Sequence, residues 1–264
     1  MKIFDAHIHS DCRGMEDFEQ MALFGTEAAV TCAHDTSRFS SAASLLDHFQ
    51  RLLNLEIWRL RESGLEPYVA LGIHPLTLPF PGMNEALKEL PAYLKRERVV
   101  ALGEVGLQRG SEVELRVLRE QLGIAERLDL PVILHTPREN KRAITKDLIT
   151  AVEEAGASKE RVLIDHVNSE TIDLVKEFGG WIGLTVHPGK LAPRQAAELV
   201  RDYGAERAIL SSDIASARSD IYAIPKAVLE MRKVGVDGET IGKAVYGNAH
   251  RFYRLEGKER ISWN

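Results

Sequence analysis

Residues 99–134 read VVALGEVGLQRGSEVELRVLREQLGIAERLDLPVIL, and this stretch decides the fold. It opens with the apolar run Val99–Leu102 and closes with the apolar run Val132–Leu134. Between them Ser111, with Glu114 three residues on, predicts a helix start with a capping box. One face of that helix carries Leu115, Leu118, Leu122, Ala125 and Leu128. Continuous rather than alternating apolar runs are typical of parallel strands covered on both sides, so the stretch predicts a strand–helix–strand unit.

The same order of elements repeats along the whole chain. Further apolar runs, each a predicted strand, are Lys2–Ala6, Ala28–Ala33, Tyr68–Ile73, Val162–Ile164, Trp181–Val186 and Ala208–Leu210. Glycines stand where the intervening helices should end, at Gly64, Gly156, Gly179, Gly204 and Gly235. Eight strand–helix repeats favour a (β/α)₈ TIM barrel of class α/β, a single domain over residues 1–264. An open doubly wound sheet is the alternative, weakened because no GxGxxG follows the first strand.

Composition indicates an ordinary globular protein. The chain has 264 residues, 44% hydrophobic and 28% charged, close to the roughly 250 residues of one such barrel. The net charge of −5 and the absence of a long basic run give no sign of tight nucleic-acid binding. The two cysteines, Cys12 and Cys32, form no CxxC pair. With no signal peptide and no apolar stretch of about 20 residues, we expect a cytoplasmic protein without a membrane span.

Histidines collect at the predicted strand ends. Of nine histidines, seven lie at or just after a strand: His7, His9, His34, His74, His135, His166 and His187. Glu104 and Asp213 hold the same kind of position on the fourth and eighth strands. All strand C-termini of a (β/α)₈ barrel meet on one face, where active sites lie, so we expect these side chains to converge there.

The convergent set predicts a site for one or two divalent metal ions. His7 and His9 alternate along a strand and therefore point the same way. With Asp213 they would hold one ion, His135 and His166 would hold another, and Glu104 would bridge the two. Two ions held in this way activate water and stabilise both oxygens of a displacement. Imidazoles suit zinc, manganese, nickel or iron, and the carboxylates extend the range to magnesium.

At these residues the sequence resembles the TatD family of metal-dependent hydrolases, within the amidohydrolase-like barrels. The matching segments are Phe4–His9, Gly72–Pro75, Gly103–Leu107, Pro131–His135, Ile164–His166, Ser212-Asp213 and Gly247–Ala249. The resemblance implies that His7, His9, Glu104, His135, His166 and Asp213 are metal ligands, that Glu104 and Asp213 are catalytic, and that Asp213 orients or deprotonates the attacking water. Family members with known activity are metal-dependent exonucleases and phosphodiesterases.

The chain departs from the family pattern next to several of these ligands. Gln108 replaces the usual Asp, Thr136-Pro137-Arg138 replaces Ser-Arg, and Val167–Glu170 replaces Cys-Phe-Ser-Gly. Ser211-Ser212-Asp213 stands where Glu-Thr-Asp is usual. The changes fall in the layer that would contact substrate, so the resemblance implies a divergent branch with the same chemistry.

Three functions remain open at this point. The first is hydrolysis of a phosphoester by metal-activated water, with His74 and Arg138 as substrate contacts; DNA cleavage would be weak and confined to single-stranded ends. The second is hydrolysis of a lactone or amide, which the same metals could serve. The third is metal binding without catalysis. His34, His187, Cys12 and the oligomeric state receive no assignment.

Overall fold

The computed structural model describes residues 1–34 and 38–256, and its eight strands all run parallel. They are Ile3–Ile8 (β1), Thr26–Cys32 (β2), Glu66–Leu71 (β3), Val99–Gly106 (β4), Val132–His135 (β5), Val162–Ile164 (β6), Trp181–Thr185 (β7) and Ala208–Ser211 (β8). Each strand pairs with the next in sequence order. Backbone bonds from Asp213 N to His7 O (2.9 Å) and from His9 N to Ile214 O (2.8 Å) join the last strand end to the first.

Helices separate the strands. They are Met15–Leu23 (α1), Ala42–Arg51 (α2), Ile57–Glu62 (α3), Met83–Leu94 (α4), Glu112–Leu128 (α5), Lys141–Glu154 (α6), Ile172–Phe178 (α7), Pro193–Tyr203 (α8), Ala223–Lys233 (α9), Gly238–Gly242 (α10) and Asn248–Phe252 (α11). Single turns of 3₁₀ helix cover Ser10–Cys12, Pro75–Thr77 and Lys159–Arg161, and π-helical turns cover Leu52–Glu56 and Lys243–Gly247. The (β/α)₈ barrel is therefore confirmed and the open sheet is excluded. Residues 257–264 of the predicted domain lie outside the described part.

Alternate strand positions build two layers of core. One set of buried side chains packs against the surrounding helices. The other set, which includes Ala70, Ala101 and Ile133, packs with Phe252 and Tyr253 next to β1. The Tyr253 hydroxyl donates to the carbonyl of Ala6 at 2.7 Å, which satisfies this buried phenol. The apolar runs of the sequence thus fill both faces of the sheet.

The predicted helix ends are mostly confirmed. All five glycines named for helix C-termini have positive φ, between 67° at Gly156 and 89° at Gly64. The capping box at Ser111 is only half right. The Ser111 hydroxyl accepts from Glu114 N at 3.3 Å, but Oε2 of Glu114 accepts from the backbone of Gln108, Arg109 and Gly110 instead. This carboxylate therefore shapes the loop that leads from β4 to α5.

No helix in the described ranges is long and apolar enough to cross a membrane.

Candidate metal centre in the barrel mouth

Strand ends bring the six proposed ligands to one face of the barrel. His7 lies in β1, Glu104 in β4 and His135 at the end of β5, while His9, His166 and Asp213 follow β1, β6 and β8. All six are buried. His166 and Asp213 have φ of 61° and 49°, in the left-handed region that non-glycine residues seldom adopt. Such backbone typically costs roughly 1–3 kcal/mol and concentrates at functional sites.

Four acceptor atoms meet at the end of β1. Nε2 of His7 lies 3.2 Å from Nε2 of His9 and 3.3 Å from Oε2 of Glu104. Nε2 of His9 lies 3.0 Å from Oδ1 of Asp213. Nδ1 of His7 donates to Asp165 at 2.6 Å and Nδ1 of His9 donates to the carbonyl of Cys32 at 3.0 Å, so in the neutral rings both Nε2 atoms carry lone pairs. Lone pairs this close repel one another unless a cation lies between them, and the donor set therefore fits a divalent metal.

A second set of donors meets the other oxygen of Glu104. Oε1 of Glu104 lies 2.9 Å from Nδ1 of His135 and 2.8 Å from Nε2 of His166. The opposite nitrogen of His135 donates to Oε1 of Gln108 at 2.9 Å. Nδ1 of His166 donates to the Thr185 hydroxyl at 2.8 Å. Each ring thus turns a lone pair toward the same carboxylate oxygen, which is the arrangement that a second cation requires.

Asp165 orients rings on both sides of the site. Its Oδ2 accepts from His7, and its Oδ1 accepts at 2.8 Å from the Thr185 hydroxyl, which in turn accepts from His166. Carboxylates that hold a histidine in one tautomer are the usual second layer of metal sites. No sequence pattern predicts this role for Asp165, although its place directly before His166 at a strand end is a usable signal.

The charge states suit metal binding at all of these groups except His7. Burial opposes the charge on His7, but the neighbouring Glu104 and Asp165 raise its pKa well above the ordinary value, so an ion there has to displace a proton. Burial opposes ionisation of Glu104, but the surrounding imidazoles hold its pKa well below the ordinary value. Burial also opposes ionisation of Asp213, but the Lys190 ammonium together with His9 and His7 keeps the pKa of Asp213 well below the ordinary value. Burial lowers the pKa of His135 to about 3, and burial together with Lys190 lowers that of His166. The carboxylates are therefore charged and these two rings neutral.

His74 turns an N–H group toward the site, not a lone pair. Its Nδ1 accepts from Leu76 N at 3.1 Å, which fixes the proton on Nε2. That Nε2 lies 3.5 Å from Oε2 of Glu104. The ring therefore caps the 3₁₀ turn after β3 and also faces the proposed bridging carboxylate. Contact between His74 and substrate stays a prediction.

Basic side chains border the mouth. A cavity of about 510 Å³ is lined by Glu104, His135, His166 and Asp213 and also by Arg38, Arg138 and Lys190. The Arg138 guanidinium lies against Gly189, where an added Cβ would come within 3.2 Å of Nη1. Lys190 was missed in the sequence, because a lysine in the loop after β7 belongs to no periodic pattern. His34 and His187 line this cavity as well, as their strand-end positions predicted.

Asn248, in the matching segment Gly247–Ala249, lies outside the site. Its buried Nδ2 donates to the carbonyls of Ala205 (2.6 Å) and Ala208 (2.8 Å). Asn248 therefore ties α11 to the start of β8.

Sequence and structure comparisons define the class. The TatD related DNase family matches residues 4–254. An uncharacterized metal-dependent hydrolase of Methanocaldococcus jannaschii is 44% identical over 254 residues, 96% of this chain and 100% of that protein. The chain belongs to the TatD-related family of metal-dependent hydrolases, as the resemblance implied.

Solved structures agree on the fold. The crystal structure of a TatD-like protein from Archaeoglobus fulgidus is 32% identical, covers 95% of this chain and 99% of its own, and has a TM-score of 0.82. A phosphotriesterase homology protein from Escherichia coli, solved with phosphate in its active site, is 15% identical and has a TM-score of 0.74, with 96% of this chain and 98% of its own covered. At that identity the second likeness concerns the barrel alone.

Proposed function

We propose that this chain hydrolyses phosphoesters, phosphodiesters above all, with divalent metal ions held by His7, His9, Glu104, His135, His166 and Asp213. The observation that carries the proposal is the meeting of four acceptor atoms, from His7, His9, Glu104 and Asp213, beside the Lys190 ammonium. The four acceptor atoms favour the binding of cations, and the basic residues beside them favour an anionic substrate. Family membership supports the same reading.

The two halves of the ligand set are joined by Glu104. Its Oε2 faces His7 and its Oε1 faces His135 and His166, so Glu104 would serve both an ion held with His7, His9 and Asp213 and another held by the two later histidines. The ions are of the zinc, manganese, nickel, iron or magnesium group. Bound divalent ions supply Lewis acidity, which activates water and offsets negative charge on a phosphoryl oxygen.

The protein's own groups then position the reactants. Asp213 is the residue that takes the proton of the attacking water, because its carboxylate is ionised, faces the cavity and is fixed through His9. Arg138 and Lys190 are placed to compensate charge on the non-bridging phosphate oxygens. Arg138 reaches them with a planar guanidinium that suits bidentate contact. Glu104 acts by holding the metal-binding groups at fixed separations.

The shape of the mouth favours small phosphodiesters or the free end of a strand. A second cavity of about 510 Å³ adjoins the site and is lined by Gln108, Arg109, Arg138, Asn140 and Lys190, among others. No Phe, Tyr or Trp lines either cavity among the described residues. Base stacking on aromatic rings is the usual means of gripping single strands, so we expect slow cleavage of DNA confined to single-stranded ends.

The test compares three substrate classes with one metal-loaded preparation: bis(4-nitrophenyl) phosphate, single-stranded DNA and a lactone panel. We expect metal-dependent cleavage of the nitrophenyl diester, slow release of nucleotides from DNA ends and no lactone opening. Arg138→Gln should raise KM for the diester about tenfold, whereas Arg201→Gln on the exposed face of α8 should leave it unchanged. Fast lactone opening without diester cleavage would establish the carbon-centre hydrolase instead.

A further inference from the structure

A second cluster of metal-binding side chains lies beside the central site, where the loop after β1 meets the end of β2. It consists of Asp11, Cys12 and His34, and His48 lies next to Asp11. Sγ of Cys12 lies 3.4 Å from Nε2 of His34 and 3.8 Å from Oδ1 of Asp11. Nε2 of His34 lies 3.9 Å from the same Oδ1, and Nδ1 of His48 lies 3.8 Å from Oδ2. We propose that this cluster binds one zinc-type transition metal ion, with Cys12 as the thiolate ligand.

The separations among Asp11, Cys12 and His34 match three positions of a tetrahedral site. Zinc bonds of about 2.3 Å to sulfur and about 2.0–2.2 Å to nitrogen or oxygen place neighbouring ligand atoms about 3.3–3.6 Å apart. The observed separations of 3.4, 3.8 and 3.9 Å therefore need shifts of only a few tenths of an ångström. A mixture of sulfur, imidazole and carboxylate selects zinc or cobalt over magnesium and calcium. The central site, in contrast, has no cysteine in its proposed ligand set.

Two arginines fix the backbone of the loop after β1, which carries Asp11 and Cys12. Arg59 donates to the carbonyl of Ser10 at 3.2 Å and to that of Arg13. Arg51 donates to the carbonyl of Asp11 at 3.1 Å. Both arginines also bind Glu56, which is fully buried in the π-helical turn after α2. The backbone of Asp11 and Cys12 is thereby fixed, and a fixed backbone reduces the ordering needed when an ion binds.

Without an ion, the cluster keeps a protonated thiol. Burial and the Asp11 carboxylate raise the pKa of Cys12 to about 11. A coordinating cation reverses this, because a thiol that binds metal gives up its proton. The His34 ring also lies against His9, with centroids 3.6 Å apart, so the ion would fix the side of the mouth that presents the first proposed ligands.

Cobalt reports this site separately from the central one, because a cobalt–thiolate charge-transfer band in the near ultraviolet requires a sulfur ligand. Titration of the metal-free full chain with Co²⁺ should give this band with saturation at one sulfur-bound ion per chain. Cys12→Ser should abolish the band, while Cys32→Ser, at the other cysteine, and Glu104→Gln, in the central site, should retain it. The result is independent of hydrolysis, so failure of the proposed function would leave it standing.

A wild-type measurement covers the case in which Cys12→Ser fails to fold. Zinc should slow alkylation of Cys12 by iodoacetamide at least about tenfold, since coordination removes the free thiolate. Magnesium should give no protection. Absence of the cobalt band, its loss in Cys32→Ser with retention in Cys12→Ser, or equal alkylation with and without zinc would each overturn the proposal.

Discussion

The ammonium group of Lys190 contacts Oδ2 of Asp213 and lies 3.0 Å from Nε2 of His166. A residue of the loop after β7 therefore joins a residue after β8 to one after β6, inside the proposed metal centre. The same positive charge that suits an anionic substrate also opposes a metal ion at Asp213. Lys190 links cation binding and substrate binding in this mouth.

Removal of the Lys190 charge should strengthen metal binding. A unit charge about 4 Å from a divalent ion is repelled by roughly 2–8 kcal/mol between the dielectric of water and that of a protein surface, so Lys190→Met should raise metal affinity about tenfold or more. Competition with a chelating dye measures this, and Lys176→Met on the exposed face of α7 is the matched control. Weaker binding in Lys190→Met would show that the lysine supports the ions rather than opposing them.

Asp165 should act as a positioning residue for the histidines. Asp165→Asn removes the charge that holds His7 and, through Thr185, His166, so we expect metal affinity to fall roughly 10- to 100-fold. Asp129→Asn, at an exposed site, provides the control. Competition with the same chelating dye measures the metal affinity of Asp165→Asn. An affinity equal to that of the wild type would show that Asp165 does not position the metal-binding histidines.

Asp213→Asn tests the proposed base. The amide keeps the shape and one oxygen but cannot take a proton, so kcat should fall about 10²- to 10⁴-fold with KM nearly intact. The metal content of the variant has to be measured alongside, because loss of an ion would also lower kcat. A variant with full metal content and most of its activity would leave Asp213 as a ligand at most.

Stability should rise with pH through the titration of Lys141. Its Nζ is buried and donates to Thr136 and to the carbonyl of Pro137, and burial lowers its pKa from 10.5 to about 8. Between these values the unfolded chain binds a proton that the folded chain has released, so the free energy of unfolding increases with pH by up to about 3 kcal/mol. Urea unfolding of metal-free protein should show this gain in the wild type and in the control Lys146→Met, but not in Lys141→Met. An equal pH dependence in all three proteins would refute the assignment.

The barrel can be predicted from the sequence because its strands and helices depend on local sequence patterns. Apolar runs, glycine caps and strand-end histidines each depend on neighbours within a few residues, and a known architecture then places them in space. In this way the sequence alone predicts that Glu104 and His135 meet in one mouth.

Contacts between distant loops could not be predicted in the same way. Lys190 reaches Asp213 through the particular course of the loop after β7, and no periodicity marks such a residue. The Glu114 carboxylate accepts from three backbone N–H groups of the preceding loop instead of from the single backbone N–H of Ser111, because three hydrogen bonds stabilise it more than one. The second layer of the site, Asp165 and Thr185, likewise depends on a hydrogen-bond chain between strands.

Metal content is the most direct test of the central claim, that Glu104 bridges ions held by His7, His9 and Asp213 on one side and by His135 and His166 on the other. Elemental analysis in the Cys12→Ser background, which removes the neighbouring cluster, should find up to two divalent ions per chain. Glu104→Gln should lower that number, and Glu62→Gln on the exposed end of α3 should leave it unchanged. A chain that binds no transition metal under any loading condition, or a Glu104→Gln variant with undiminished content, would contradict the account.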